Sequence, residues 1–170
     1  MATLILGYGN KDRQDDGVAW HVLSALCFAL KKNPNDEIAE EFTKGSDLAL
    51  VFQLQLMPEQ CEFIATYDKV CFIDAHTGAI VEEVRCQPVK QHFQNSPLTH
   101  HLSPESLLSI TNTIYNKSPE SILISIRGYE FGFSQILSNR TQHLVSQAVD
   151  MILNWLDKKT SNQPRFHDRS

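Results

Sequence analysis

The stretch LILGYGNKDRQDDGVAWHV, residues 4–22, decides the fold class of this 170-residue chain. It begins as a bare apolar run, as a strand that is buried on both faces of a parallel sheet does. Two glycines and a charged cluster follow, and apolar residues then recur at helical spacing. A strand that runs through a glycine loop into a helix predicts an α/β unit whose loop lies at the carboxyl edge of the sheet.

The rest of the chain repeats this alternation. Further strands are predicted for two bare apolar runs and two alternating runs, at residues 69–75, 121–127, 47–56 and 80–89. The predicted helices cover residues 15–32, a short segment from Pro58, a segment capped by Ser103, and residues 138–157. We therefore predict a three-layer α/β fold, with a mostly parallel, twisted sheet of about five strands between helices on both faces.

Length and composition fit one domain. The chain is 42% hydrophobic and 21% charged, and it is too short for two comfortable domains. We expect a single α/β domain over residues 1–158, followed by a polar tail, residues 159–170, that is disordered. Nothing in the sequence demands a dimer, so a monomer is expected.

Charge and targeting signals exclude several classes of protein. A net charge of −5 with scattered basic residues argues against general binding of nucleic acid. The sequence contains neither a signal peptide nor an apolar run of membrane-spanning length, so a cytoplasmic protein without membrane attachment is expected. The four cysteines include no C-x-x-C pair. Cys27, in a helical pattern, and Cys71, in an apolar run, are predicted to be core residues rather than disulfides or zinc ligands.

The loop from Gly7 to Asp16 could bind either a phosphate group or a cation. A G-x-G-x-x-G loop that starts at Gly7 needs a third glycine at position 12, where the chain has Asp12. Asp15 and Asp16 would repel a pyrophosphate at the start of the helix. Asp15 is expected to begin the helix and to interact favourably with its dipole. Asp16 is either a second such residue or a site carboxylate.

Further polar residues follow the other strands. Asp74 and His76 follow residues 69–73, Arg127 and Glu130 follow residues 121–126, and His100 and His101 precede Ser103. Asp74 could bond to backbone amides, and either histidine could be a cap or a surface residue. Two carboxylates and an imidazole, in contrast, form a site for Zn²⁺, Ni²⁺, Mn²⁺ or Fe²⁺.

Four segments in order resemble the [NiFe] hydrogenase maturation proteases. Residues 4–22 resemble their opening G-x-G-N segment with its paired carboxylates, and residues 67–78 resemble their strand that ends in Asp-Ala. Residues 99–108 are similar to their histidine motif, and residues 126–141 to their closing segment. The resemblance runs from about residue 3 to residue 156.

The resemblance implies an activity and its residues. Members remove a C-terminal extension from the precursor of the hydrogenase large subunit after nickel has been inserted. The family's nickel contacts fall on Asp16, Asp74 and His100, with His101 as the weaker candidate for the histidine. Asp16 and Asp74 would also be the catalytic residues, and either could act as base. The nickel would arrive with the precursor, the one protein partner implied, although another divalent metal would fit.

The chain departs from the family in one segment. Residues 36–63 contain no Asp-Gly-Gly-Thr-like stretch, which in the family is thought to help recognise substrate. Substrate identity and cleavage site therefore stay open. Two other functions remain: a non-catalytic protein that senses a metal-loaded partner, and an enzyme of the nucleoside-phosphorylase or peptidyl-tRNA-hydrolase type, since a fold does not fix a function.

Overall fold

The computed structural model describes residues 1–42, 47–92 and 101–158. Within these ranges the strands are β1 (Thr3–Tyr8), β2 (Ile38–Ala39), β3 (Leu48–Gln53), β4 (Lys69–His76), β5 (Val84–Pro88) and β6 (Glu120–Arg127). The α-helices are α1 (Val18–Ala29), α2 (Pro34–Glu37), α3 (Cys61–Ile64), α4 (Pro104–Tyr115), α5 (Asn139–Gln142) and α6 (Val145–Asp157). The tail 159–170, predicted to be disordered, lies outside the described residues.

The strands form one sheet in the order β2-β3-β1-β4-β6-β5. All pairs are parallel except β5 with β6, which is antiparallel and places β5 at an edge. The predicted α/β class, with a mostly parallel sheet and an edge strand near residues 80–89, is confirmed. The strand beyond the predicted five is β2, whose two residues are too few to give a periodic signal.

The helices bury both faces of the sheet. Ile5 and Ile73 belong to the apolar cluster that contains residues of α1 and α6, while Leu6 and Phe72 belong to the cluster on the side of α3 and α4. Successive residues of a strand point to opposite faces, so a strand covered on both sides is apolar throughout. This explains the bare apolar runs of β1 and β4.

Several predicted boundaries shift. Residues Gln14–Gly17 form a 3-10 helix, and α1 begins only at Val18. The predicted closing helix is two helices, α5 and α6, and the strand predicted to reach residue 56 ends at Gln53. Two of these departures lie beside Asp15, whose long-range hydrogen bonds to residues 129–141 are described below.

The cysteines carry free thiols. Cys27 and Cys71 are buried, as predicted, and Cys61 is buried as well. Cys86 is exposed on the edge strand β5, and none of the four forms a disulfide. Among the described residues, no helix has both the length and the apolar character needed to cross a bilayer.

Candidate active site

The two carboxylates predicted from the sequence lie at the carboxyl ends of the neighbouring strands β1 and β4. Gly7 pairs with Ile73, so the next residues, Tyr8 and Asp74, are neighbours across the two strands. Asp16 follows β1 in the 3-10 helix. Since β3 lies on the other side of β1, this junction is a switch point of the sheet, where ligands of open α/β sheets bind.

A cavity of about 590 Å³ opens at this junction, and both Asp16 and Asp74 line it. One wall is the start of α4, where Ser103 Oγ accepts a hydrogen bond from Ser106 N at 3.2 Å and so confirms the predicted cap. The other described lining residues are Tyr8, Gly9, Asn10, Arg13, Leu54, Gln55, Leu56, Ala75, His101, Leu102, Pro104 and Leu123. The structure therefore brings the two predicted carboxylates into one cavity.

Two residues of the loop after β1, Gly9 and Asn10, contact Asp16 closely. Gly9 has a φ of +143°, and a Cβ atom there would lie 2.1 Å from the backbone oxygen of Asp16. The backbone N–H of Asn10 donates to Asp16 Oδ2 at 2.9 Å. Glycine at position 9 thus allows a close approach that fixes Asp16 at the cavity.

We expect Gly9→Ala to lower the free energy of unfolding by about 2–4 kcal/mol, because the new Cβ meets backbone and the positive φ disfavours alanine. Gly132→Ala is the matched control. The nearest heavy atom to a Cβ at Gly132 is Gln14 Oε1 at 3.2 Å, the end of a flexible side chain. Urea denaturation of both variants measures the difference, and equal stabilities would contradict the role given to Gly9.

Asp74 is electrostatically unusual. Burial raises the pKa of its carboxyl from 3.8 to about 7; hydrogen bonds from the Tyr8 hydroxyl and the Ala75 N–H lower it, and the nearby charge of Asp16 raises it. Burial, followed by the negative charge of Asp74, raises the pKa of the Tyr8 hydroxyl well above 10, so Tyr8 remains a donor. A carboxyl that titrates near neutral pH is suited to accept and return a proton.

This pKa predicts a pH-dependent effect of Asp74→Asn on stability. The unfolded carboxyl ionises near pH 4 and the folded one near pH 7, so the wild-type protein loses stability between these values as the pH rises. The variant lacks this penalty. Its gain in unfolding free energy should therefore be roughly 2–3 kcal/mol greater at pH 8 than at pH 5. Urea denaturation at both pH values tests this, and a gain independent of pH would contradict it.

The predicted metal ligands are only partly within the described residues. His100 lies outside them, whereas His101, the weaker candidate, is exposed and lines the cavity. Within residues 1–42, 47–92 and 101–158, no three His, Cys, Asp or Glu side chains are arranged to hold a metal ion. Carboxylate oxygens with an imidazole nitrogen suit a divalent ion of the Ni²⁺ or Zn²⁺ kind. The set Asp16, Asp74 and His100 stays a prediction.

Asp15 lies in the first turn of the 3-10 helix, as expected for a residue at a helix start, but its carboxylate makes long-range hydrogen bonds. Its side chain is fully buried and accepts hydrogen bonds from the backbone N–H groups of Tyr129, Glu130 and Ser138, at 2.8, 2.9 and 2.8 Å. The hydroxyl of Ser138 also donates to it at 2.7 Å, and Thr141 Oγ1 lies 2.8 Å away. Asp15 therefore ties the loop after β6 to the segment that carries Asp16.

Sequence reasoning missed two side chains of the cavity. Tyr8 could be assigned to the site only once the register between β1 and β4 was known, because that register places Tyr8 beside Asp74. Arg13 gave no signal, because it is one of two cations in a loop rich in charged residues. Arg127 and Glu130, noted as strand-end residues, are absent from the described lining of the cavity. Glu130 accepts a hydrogen bond from Gln14 Nε2 at 2.9 Å instead.

Known structures share this architecture across nearly the whole chain. The [NiFe] hydrogenase maturation protease HycI from Thermococcus kodakarensis is 19% identical, with a TM-score of 0.63 over 91% of this chain and 92% of that one. The hydrogenase maturating endopeptidase HybD from Escherichia coli is 16% identical, with a TM-score of 0.65 over 92% of each chain. This chain has the hydrogenase maturation protease fold.

The maturation-protease fold extends to an archaeal structure as well. A hydrogenase 2 maturation peptidase from a Thaumarchaeota archaeon is 17% identical, with a TM-score of 0.59 over 94% of this chain and all of that one. No protein-family model matches the sequence, and no curated protein matches it significantly. At these identities the likeness establishes the fold, and the resemblance inferred from the four motifs is confirmed at that level.

Proposed function

We propose that this chain is an endopeptidase that removes the C-terminal extension of a [NiFe] hydrogenase large-subunit precursor after nickel insertion. The maturation-protease fold supports this proposal. The observation that carries it is the pairing of Asp16 and Asp74 in one cavity at the switch point of the sheet. By the resemblance described above, two of the family's nickel contacts would fall on these residues.

Nickel enters this account as part of the substrate. The precursor would present its nickel to Asp16, Asp74 and His100, whose oxygen and nitrogen atoms suit this ion. Contact with the metal would place the adjoining peptide bond in the cavity, and such positioning alone can supply several kcal/mol of barrier reduction. A precursor without nickel would lack this anchor and would escape cleavage.

The chemistry uses water rather than a side-chain nucleophile. Ser103 lines the cavity, but its hydroxyl caps α4 and lies 3.1 Å from Ser106 Oγ. The described lining includes no cysteine. Asp74 or Asp16 would accept a proton from the attacking water and return it to the departing amine. We place this reaction in the cytoplasm and expect the protein to act as a monomer on its precursor.

The test is the intact mass of a purified, nickel-loaded precursor after incubation with the protein. Loss of the C-terminal extension, together with release of the corresponding peptide, is the expected result. A stable complex without a change in mass would overturn the peptidase proposal and favour a metal-sensing binding protein. A nickel-free precursor serves as the control and should keep its full mass.

A further inference from the structure

Arg13 is an arginine on the wall of the candidate active site. It lines the same cavity as Asp16 and Asp74 and is itself exposed to solvent. We propose that Arg13 is a catalytic residue that donates a hydrogen bond to the oxygen of the scissile carbonyl and stabilises its negative charge in the transition state. This inference rests on the proposed peptidase function.

The backbone of Arg13 is held on both sides. Its N–H donates to Asn10 O at 3.1 Å, and its carbonyl accepts from Asp16 N at 3.2 Å. Arg13 also pairs with Ser134 in an isolated backbone β-bridge, and the carbonyl of Ser134 accepts a hydrogen bond from the N–H of Gln14 at 2.7 Å. The fixed backbone keeps the base of the side chain at the cavity wall, so that only the side-chain torsions of Arg13 need to adjust when a substrate binds.

The charge of Arg13 is uncommitted within the described part of the chain. There, the ion pairs with carboxylates involve Lys11, Lys32, Lys69 and Arg140. Cations also lie over aromatic rings, but these are Lys11, Lys69, Arg127 and Arg140. Arg13 takes part in neither kind of contact, so its guanidinium is available to a substrate.

A cation beside the scissile carbonyl would stabilise the transition state of peptide hydrolysis, in addition to the precursor's nickel. When water attacks a peptide carbonyl, the oxygen becomes negative, and Asp16 and Asp74 would repel that charge. A guanidinium presents several N–H donors in a fixed plane, keeps its proton at all relevant pH values, and binds oxyanions well. Closure of the cavity by the precursor would remove water from around Arg13 and strengthen the interaction.

Peptide hydrolysis in this cavity would take place in two steps. Water adds to the carbonyl carbon while a carboxylate takes one of its protons, and the carbonyl π electrons move to the oxygen that Arg13 contacts. The oxyanion then re-forms the carbonyl, and the C–N bond breaks. The departing amine takes the proton from the carboxylic acid, so the products are a new C-terminal carboxyl group and a free amine. Arg13 takes no part in these proton transfers.

Steady-state cleavage of the purified, nickel-loaded precursor tests the assignment. Arg13→Gln should lower kcat by about 10²–10³-fold, the effect of removing one oxyanion donor, with KM changed by less than about threefold. Arg13→Lys keeps the charge and should recover part of the lost kcat. Arg140→Gln is the matched control, because Arg140 lies over the ring of Tyr129, outside the described lining of the cavity. This variant should cleave the precursor at the wild-type rate.

Three other kinetic results would overturn the role assigned to Arg13. A higher KM with unchanged kcat would overturn the proposal and make Arg13 a ground-state binding residue. Unchanged kcat and KM would also overturn it. Failure of the wild-type protein to cleave would instead remove the proposed function, and the assignment with it. Melting temperatures equal to wild type confirm that the variants are folded.

Discussion

Replacing either cavity carboxylate by its amide, in Asp16→Asn or Asp74→Asn, is expected to reduce the rate of precursor cleavage by about 10³-fold. Removing a positioned proton-transfer group typically costs 10²–10⁴-fold in rate. The amides also bind a divalent metal more weakly than carboxylates do, so the affinity for the nickel-loaded precursor should fall as well. The rate of extension loss, followed by intact mass, measures the effect.

Folding controls separate this prediction from a loss of structure. Asp74→Asn should be more stable than wild type near neutral pH, since it removes a buried ionisable group. Asp150→Asn, an exposed substitution in α6, should cleave like wild type. If both cavity variants cleaved at nearly the wild-type rate, neither carboxylate would have the role proposed here.

Asp15→Asn is expected to lower the free energy of unfolding by about 3 kcal/mol at pH 7, because one amide oxygen cannot serve all the buried donors around it. Burial raises the pKa of Asp15, but hydrogen bonds from Ser138, Glu130 and Tyr129 outweigh this effect and lower it below 3.8. The ionised carboxylate is therefore the stabilising form. Urea denaturation monitored by circular dichroism measures the loss.

The pH dependence of the Asp15 effect has a definite sign. Because the folded pKa lies below the unfolded one, the stabilisation is present above about pH 4 and is lost as the pH falls through the folded pKa. The difference between wild type and Asp15→Asn should shrink in acid. Asp150→Asn is again the matched control and should stay within about 0.5 kcal/mol of wild type. An equally small effect of Asp15→Asn would contradict the anchoring role.

The sheet was predictable because burial on both faces leaves an unbroken apolar run. β1, β4 and β6 each show such a run, and their carboxyl ends lie at one edge of the sheet. Asp16 and Asp74 could thus be assigned to a shared site before any geometry was known. In contrast, β2 has two residues and no periodicity, so only its pairing with β3 defines it.

The supporting residues were less predictable because their roles depend on long-range contacts. The donors around Asp15 come from residues more than 110 positions away in sequence, and no local pattern indicates them. The same contacts join the 3-10 helix to α5, the two segments where the structure departs from the predicted helices. Tyr8 and Arg13 acquire meaning only through the cavity that they share with the carboxylates.

The most direct test of the central claim is the intact mass of the hydrogenase large subunit from the source organism. Three strains should be compared: one unmodified, one that lacks the gene for this protein, and one that carries Asp16→Ala. The account predicts that the C-terminal extension is absent in the first strain and persists in the other two. A large subunit trimmed normally in all three strains would contradict it.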